Sequence, residues 1–452
     1  MDALGLRSLP YLARSNYYHE LHHTVLWSVL AGLIDGQFAA VVVSRSFHAS
    51  DQLIAVASAM PAAANLLSIS WGLLCVGRPI VRLATVFVAA TALFAGIVAA
   101  IPSTPWGGVW FVAQVSGAQA MLAGVVTIRS AIWRSNYRHE ERGRITARLQ
   151  GIRFVISVTT ALVAGRLCDL DAHAYRYVFP VAAACGVLSM IHLSRIRIRG
   201  QRRAVRRDME TLSDGDISSS IIEPFPLVTL ISPGHILSQM VRVLRGDRRF
   251  RRYCVAQFFT GLANLLTISV VVSVVTRELV PDDGRGYWIS VVIIEALPRL
   301  VMLGSLGRWG QVFDRLGVLG MRTLNMVCWT ASILFAMGGD FLTPASGNTG
   351  PGLFLAALAL FALRAFANGL GLGGGALAWH IGHLHFAKPA EAEIYMGVHV
   401  TLTGVRGLIA PLGGMWLWRT VGWPMWVIAV GCSLYSFYVF SSMAREEKAA
   451  RA

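Results

Sequence analysis

The chain has 452 residues, of which 55% are hydrophobic and only 14% charged, and its mean hydropathy is +0.57. A water-soluble chain carries about 25% charged residues, so this composition excludes an ordinary soluble enzyme or binding domain. The formal net charge of +16 would suit nucleic acid, but the arginines alternate along the chain instead of forming one patch, which argues against a nucleic-acid partner.

Taken in order, apolar stretches of roughly 20 residues recur from end to end, each long enough to cross a hydrocarbon core of about 30 Å. They predict twelve spans, near 22–44, 50–75, 80–101, 107–132, 146–167, 175–194, 252–276, 286–307, 320–341, 352–379, 392–416 and 422–442. Lipid offers no hydrogen bonds, so a segment of this length must satisfy its own backbone as a helix. The expectation is an all-α polytopic membrane protein. Residues 1–21 are polar and partly basic and lack the pattern of a cleaved signal, so the first span is expected to be an uncleaved anchor. The connections after even-numbered spans, with the two chain ends, hold Arg7, Arg14, Arg78, Arg82, Arg134, Arg138, Arg142, Arg144, Arg148, Arg308, Arg315, Arg322, Arg445, Lys448 and Arg451. The opposite connections hold only Arg45, Arg166, Arg176, Arg277, Arg285 and Arg419, several beside an acid. This bias places both termini in the cytoplasm.

Between the sixth and seventh spans the apolar pattern stops. Arg195, Arg197, Arg199, Arg202, Arg203, Arg206 and Arg207 form a basic run, followed by the polar stretch 208–220. Ile236, Leu237, Met240, Val241 and Leu244 then recur at helical spacing, with Arg242 and Arg245 between them, and predict an amphipathic helix lying on the inner membrane surface. The chain therefore divides into a cytoplasmic segment (1–21), a six-helix bundle (22–195), a basic linker (196–250), a second bundle (251–442) and a cytoplasmic tail (443–452). The bundles echo each other: Gly32-Leu33-Ile34-Asp35 is matched by Gly261-Leu262-Ala263-Asn264, and Gly151-Ile152-Arg153 by Gly404-Val405-Arg406. Equal span counts and matched segments suggest a duplicated unit.

The octapeptide Gly310-Gln311-Val312-Phe313-Asp314-Arg315-Leu316-Gly317, between the eighth and ninth spans, resembles the signature of the major facilitator superfamily at its cytoplasmic turns. The first-half counterpart, Gly72 to Pro79, is degraded: Val76 stands where the acid belongs. Glu141-Arg142-Gly143-Arg144 looks like that family's helix 4–5 turn, and the segment from Gly404 to Gly414 looks like its glycine-proline packing motif. The segment Leu244 to Phe250 is similar to bacterial members. The resemblance implies two pseudo-symmetric six-helix bundles in a bacterial inner membrane. It further implies secondary transport by alternating access, with Gly310, Asp314, Arg315 and Gly317 latching the inner gate.

Polar side chains within spans are costly and so are functional candidates. Asp35 in span 1 and Asn264, its counterpart in span 7, are expected to line a substrate cavity with Arg364 and Asn368 of span 10. Arg364 cannot deprotonate and needs an anion: Asp35, Glu295, or a group on the substrate. Glu295 and Arg299 stand four apart on one face of span 8, close enough to pair. Arg299, Arg153 and Arg406 are candidate gate residues, and Asp35, Glu295 and His399 are candidate carriers of a coupling proton. His19, His22 and His23, and His380, His383 and His385, cluster without a completing acid or thiol, so no metal is assigned. The six cysteines show no paired spacing. No cofactor and no catalytic constellation is expected. The leading expectation is a secondary transporter of a small, anionic solute, coupled to H⁺, with membrane lipid as its other partner. The alternative is a scaffold, assembly factor or sensor of the same fold, with a protein partner.

Overall fold

A computed structural model describes residues 11–451 apart from 76–77, 103, 105, 138, 199, 202–204, 207–232, 281–285, 344–349 and 388–391. Among the described residues the regular structure is helical throughout. Nine stretches of these residues are long and apolar enough to cross a membrane, and the bent pair Ala13–Ile34 and Phe38–Arg45 makes a tenth. Two further crossings complete twelve. The stretch Gly286–Phe341 covers 56 residues and doubles back, because Gly374 lies against both Trp309 and Asn325. The reversal falls at Gly317, whose φ of 67° suits a residue without a Cβ. The other crossing is the broken helix Asp51–Ala63, Ala64–Leu67 and Ser68–Leu74. Pro61 inside it lacks the N–H that a continuous helix requires.

The spans are numbered as follows. Span 1 joins Tyr11–Ile34 to Phe38–Arg45, span 2 covers 51–74, and spans 3 to 6 are Ile80–Gly96, Gly107–Asn136, His139–Leu170 and Tyr175–Leu193. Span 7 is Arg248–Val274, span 8 covers 286–316 and span 9 covers 318–341. Spans 10 to 12 are Pro351–Ile381, Ala392–Val421 and Pro424–Arg451. Span 1 thus begins well inside the segment expected to precede it. Asp247 starts span 7 by accepting a hydrogen bond from the Phe250 amide at 2.8 Å. A helix over Pro233–Gly246 stands before it, while most of the basic run and the stretch 208–220 lie outside the described residues, as do Val76 and Gly77 of the first-half octapeptide.

Each half packs mainly on itself. Spans 1, 3, 4, 5 and 6 form one bundle, and spans 7, 9, 10, 11 and 12 the other. The halves meet where span 2 crosses span 11 and where span 5 crosses span 8. The first crossing is close because span 11 offers glycine there. A Cβ on Gly404 would stand 2.7 Å from the Leu66 amide nitrogen, and one on Gly407 would stand 2.6 Å from the Ala62 Cβ. Large apolar side chains such as Val86, Leu93, Val181, Leu355 and Tyr438 point outward, as a lipid-facing surface requires. Trp106 and Trp423 are exposed near span ends, where amphipathic rings favour the interface.

With twelve spans, the two chain ends and the Gly317 turn share one face, here the terminal face. At the opposite, distal face the halves are sewn together. Asp51, the first residue of span 2, receives Arg277 at 2.8 Å, Ser273 at 2.8 Å and Arg419, all from the second half. Arg45 donates to the Val280 carbonyl at 2.7 Å and to Ser290 Oγ at 3.3 Å. The Asp169 carboxylate accepts the Tyr287 and Trp288 amides at 2.8 and 3.2 Å, and so caps span 8 from across the divide.

Candidate functional site

Span 1 breaks between Ile34 and Phe38, bending by 43° between its two helices. A break frees backbone groups that lipid cannot satisfy, and side chains of other spans take them. Gln119 of span 4 donates to the Ile34 carbonyl at 2.9 Å. The Gln37 amide donates to Glu295 Oε2 at 3.0 Å, and Arg299 donates to the Asp35 carbonyl. The Asp35 carboxylate pairs with Arg153 of span 5, and Glu295 pairs with Arg299 at 2.6 Å. Two carboxylates and two guanidiniums therefore form a neutral network that joins spans 1 and 5 of the first half to span 8 of the second. Glu295, Arg299 and Arg153 are largely buried, but the Asp35 side chain is 41% exposed, on the seam between the bundles. Glu295 sits in a π-helical segment, Val292–Ala296; the extra residue turns its carboxylate toward span 1.

A second polar cluster lies wholly in the second half. Asn368 of span 10 donates to Asn264 of span 7 at 3.3 Å. One turn away, Arg364 is 4% exposed, and among the described residues its guanidinium forms neither an ion pair nor a hydrogen bond. Of the anions weighed for Arg364, Asp35 and Glu295 are paired elsewhere in this structure, with Arg153 and Arg299. Asp35 and Asn264, matched in sequence, do not meet: each is engaged within its own cluster.

The remaining candidates are placed as follows. Asp314 and Arg315 are exposed on the terminal face, beside the Gly317 turn, and form no ion pair with any described residue; Gly310 lies one helical turn earlier. Arg406 lies across Gly261 of span 7 and donates to the Gln257 carbonyl. His399 is buried in span 11, its ring 6.3 Å from that of Trp379. His19 and His22 approach His192 of span 6, at 3.4 Å between Nδ1 atoms and 4.8 Å between ring centres. No group of three or more His, Cys, Asp or Glu among the described residues is arranged to hold a metal.

No protein-family model matches the chain, and no curated protein matches it in sequence. Solved structures do match. The nucleoside transporter NupG superimposes with a TM-score of 0.66 at 13% identity, over 94% of this chain and 99% of that one. The xylose transporter XylE from E. coli, in a partially occluded inward-open conformation, gives 0.60 at 12% identity over 95% and 97%. A bacterial homologue of the iron transporter ferroportin, inward-facing, gives 0.57 at 13% identity over 96% and 98%. This is the major facilitator fold.

Within the major facilitator fold, three groups emerge that sequence reasoning missed. The first is Glu20, buried in span 1, which accepts Trp133 Nε1 at 2.8 Å, while Arg129 of span 4 lies 5.0 Å over the Trp133 ring and donates to Thr24 at 2.8 Å. Glu20 escaped notice because residues 1–21 read as a polar cytoplasmic segment before the first span, yet 11–21 are helical and Glu20 is packed. The second is the distal cluster of Asp51, Arg277 and Arg419; the sequence puts the two arginines in separate connections and Asp51 inside the predicted span 50–75. The third is Arg322, counted as a surface topology charge but buried at 4% exposure between spans 7 and 9. An asparagine three residues on, Asn325, which accepts from it at 3.1 Å, was the available signal.

Proposed function

We propose that the protein is a secondary transporter that moves a small anionic solute across the bacterial inner membrane by alternating access, with both termini cytoplasmic. Arg364, with Asn368 and Asn264 beside it, is the substrate-binding element. The observation that carries this reading is the buried Arg364 guanidinium, which has no acid partner among the described residues. An isolated buried charge is unfavourable by several kcal/mol, and an anionic substrate group removes that penalty while gaining bidentate hydrogen bonds.

The Asp35–Arg153 pair of the first half and the Glu295–Arg299 pair of span 8 are joined across the halves by the Gln37 amide on Glu295 and by Arg299 on the Asp35 carbonyl, and this is the contact that must exchange as the bundles rock. The closed distal face and the disengaged Asp314 and Arg315 fit a state with the terminal side released. Asp35 and Glu295, and His399 deeper in span 11, are the groups offered to a coupling proton. Protonating either carboxylate would strip charge from the network and loosen one half from the other.

The test is uptake into proteoliposomes. Radiolabelled carboxylates, phosphate esters and sulfate are offered with and without an inward proton gradient. We expect one of these anions to accumulate, with the gradient raising its rate, and Arg364→Ala to remove the uptake. Accumulation of neutral or cationic solutes alone, unaffected by Arg364→Ala, would overturn the assignment.

A further inference from the structure

Towards the terminal face of the second bundle lie two more arginines that have no acid partner among the described residues. Arg322 of span 9 donates to Asn325 Oδ1 at 3.1 Å and to the Gln257 side-chain oxygen. Its guanidinium also lies 5.8 Å from the Phe440 ring centre. Arg406 of span 11 donates to the Gln257 carbonyl, and to Thr403 Oγ1 at 3.2 Å. One residue, Gln257, therefore holds both cations, one through its side chain and the other through its backbone. The Nε of each arginine is buried and has no hydrogen-bond partner. Neither arginine forms an ion pair with any described residue.

The surroundings are shaped to keep the two cations in place. Gly261 leaves the space that the Arg406 side chain fills; a Cβ there would overlap its guanidinium. Asn325 is held from behind, since its Nδ2 donates to the Gly371 carbonyl at 2.9 Å and its Oδ1 also accepts Trp329 Nε1 at 3.0 Å. Tyr253, fully buried, receives the Gln257 amide at 3.3 Å. Two like charges brought together in a bundle interior, with neutral acceptors alone, repel each other and are poorly solvated. A packed fold maintains such a pair at a net loss unless something negative joins it.

We infer that Arg322 and Arg406, bridged by Gln257, form a second anion site, distinct from Arg364, that takes a phosphate-type oxyanion. The two unpartnered Nε–H groups provide the donors, and the paired guanidiniums supply the charge that a doubly charged group matches better than a carboxylate. The oxyanion belongs either to a free solute or to a lipid headgroup.

The experiment uses the full-length protein in nanodiscs of phosphatidylcholine and carries Arg364→Gln throughout, so that only the second site is read. Inorganic phosphate and sulfate are titrated by calorimetry. Saturable binding is expected, weakened about tenfold or more by Arg322→Gln. Gln257→Glu places an internal carboxylate between the two arginines; it should abolish binding and raise the melting temperature, which guards against mere misfolding of the arginine variant. In discs containing phosphatidylglycerol, loss of phosphate binding together with a raised melting temperature, both cancelled by Gln257→Glu, would assign the site to a lipid headgroup. Unchanged phosphate binding in both variants, or no binding in either lipid with no effect of Gln257→Glu on melting, overturns the site. Because Arg364 is absent from every sample, these outcomes are independent of whether the transport assignment stands.

Discussion

The two halves share an architecture but treat their buried arginines in opposite ways. In the first half Arg153 has Asp35, and Arg129 shares its cluster with Glu20. In the second half Arg364, Arg322 and Arg406 have amides, hydroxyls and carbonyls at most. Arg299 of span 8, which does have an acid, Glu295, is turned toward span 1. Towards the middle of the first bundle each buried arginine thus has an acid in its cluster, whereas among the described residues Arg364, Arg322 and Arg406 of the second bundle have none. Duplicated folds need not duplicate their polar interiors; on the function proposed above, the first bundle would serve as the frame and the second would bind the solute.

The strongest way to break this comparison is at Arg364. If the second half is built for an outside anion, Arg364→Ala should lower affinity for the transported anion by about a hundredfold or more. The melting temperature should hold or rise, since an uncompensated buried charge has gone. A fall in melting temperature with affinity unchanged would make Arg364 structural. Next in size is the crossing of spans 2 and 11. Gly407→Val should destabilise the protein by about 1–3 kcal/mol through overpacking, read as earlier thermal unfolding and slower uptake; normal behaviour would mean the halves do not rely on that approach.

In the first half the opposite response is expected. Asp35→Asn strands Arg153 and should destabilise by about 2 kcal/mol, less than for a fully buried pair because Asp35 is 41% exposed. Adding Arg153→Gln should recover part of the loss. Strict additivity in that cycle would show the two residues to be uncoupled. At the distal face, Asp51→Asn should weaken closure by about 1 kcal/mol or less, since its partner Arg419 is half exposed. Spin labels at Gln52 and Thr420 should then report a longer or broader distance; an unchanged distribution would mean that other contacts hold this face. The smallest effect is expected at Asp314→Asn, within about 0.5 kcal/mol of wild-type stability, because the side chain is exposed and unpaired among the described residues. Its influence should appear in uptake rate alone.

Much of the scaffold could be read from local signals. Long apolar runs located the spans, the break after span 6 divided the halves, and the glycine-bearing octapeptide marked the reversal at Gly317. Where span 1 begins was less legible, because 11–21 is polar in composition yet packs as helix, with Tyr17 and Glu20 buried. The candidate site was legible as a set of residue types and illegible as a set of partners. Asp35, Arg153, Glu295, Arg299, Asn264, Arg364 and Asn368 stood out as polar groups in apolar spans, but the pairing of Asp35 with Arg153 rather than Arg364 did not.

What the amino-acid order determined by itself was therefore the transfer of each segment between water and lipid, a property that depends on about twenty neighbouring residues and on little else. What only the tertiary structure decided was which charges neutralise one another. That outcome depends on how each helix is rotated and where it breaks, and both are set by packing against spans far away in sequence. Gln37 reaches Glu295 across 258 positions, a relationship that no local pattern can encode.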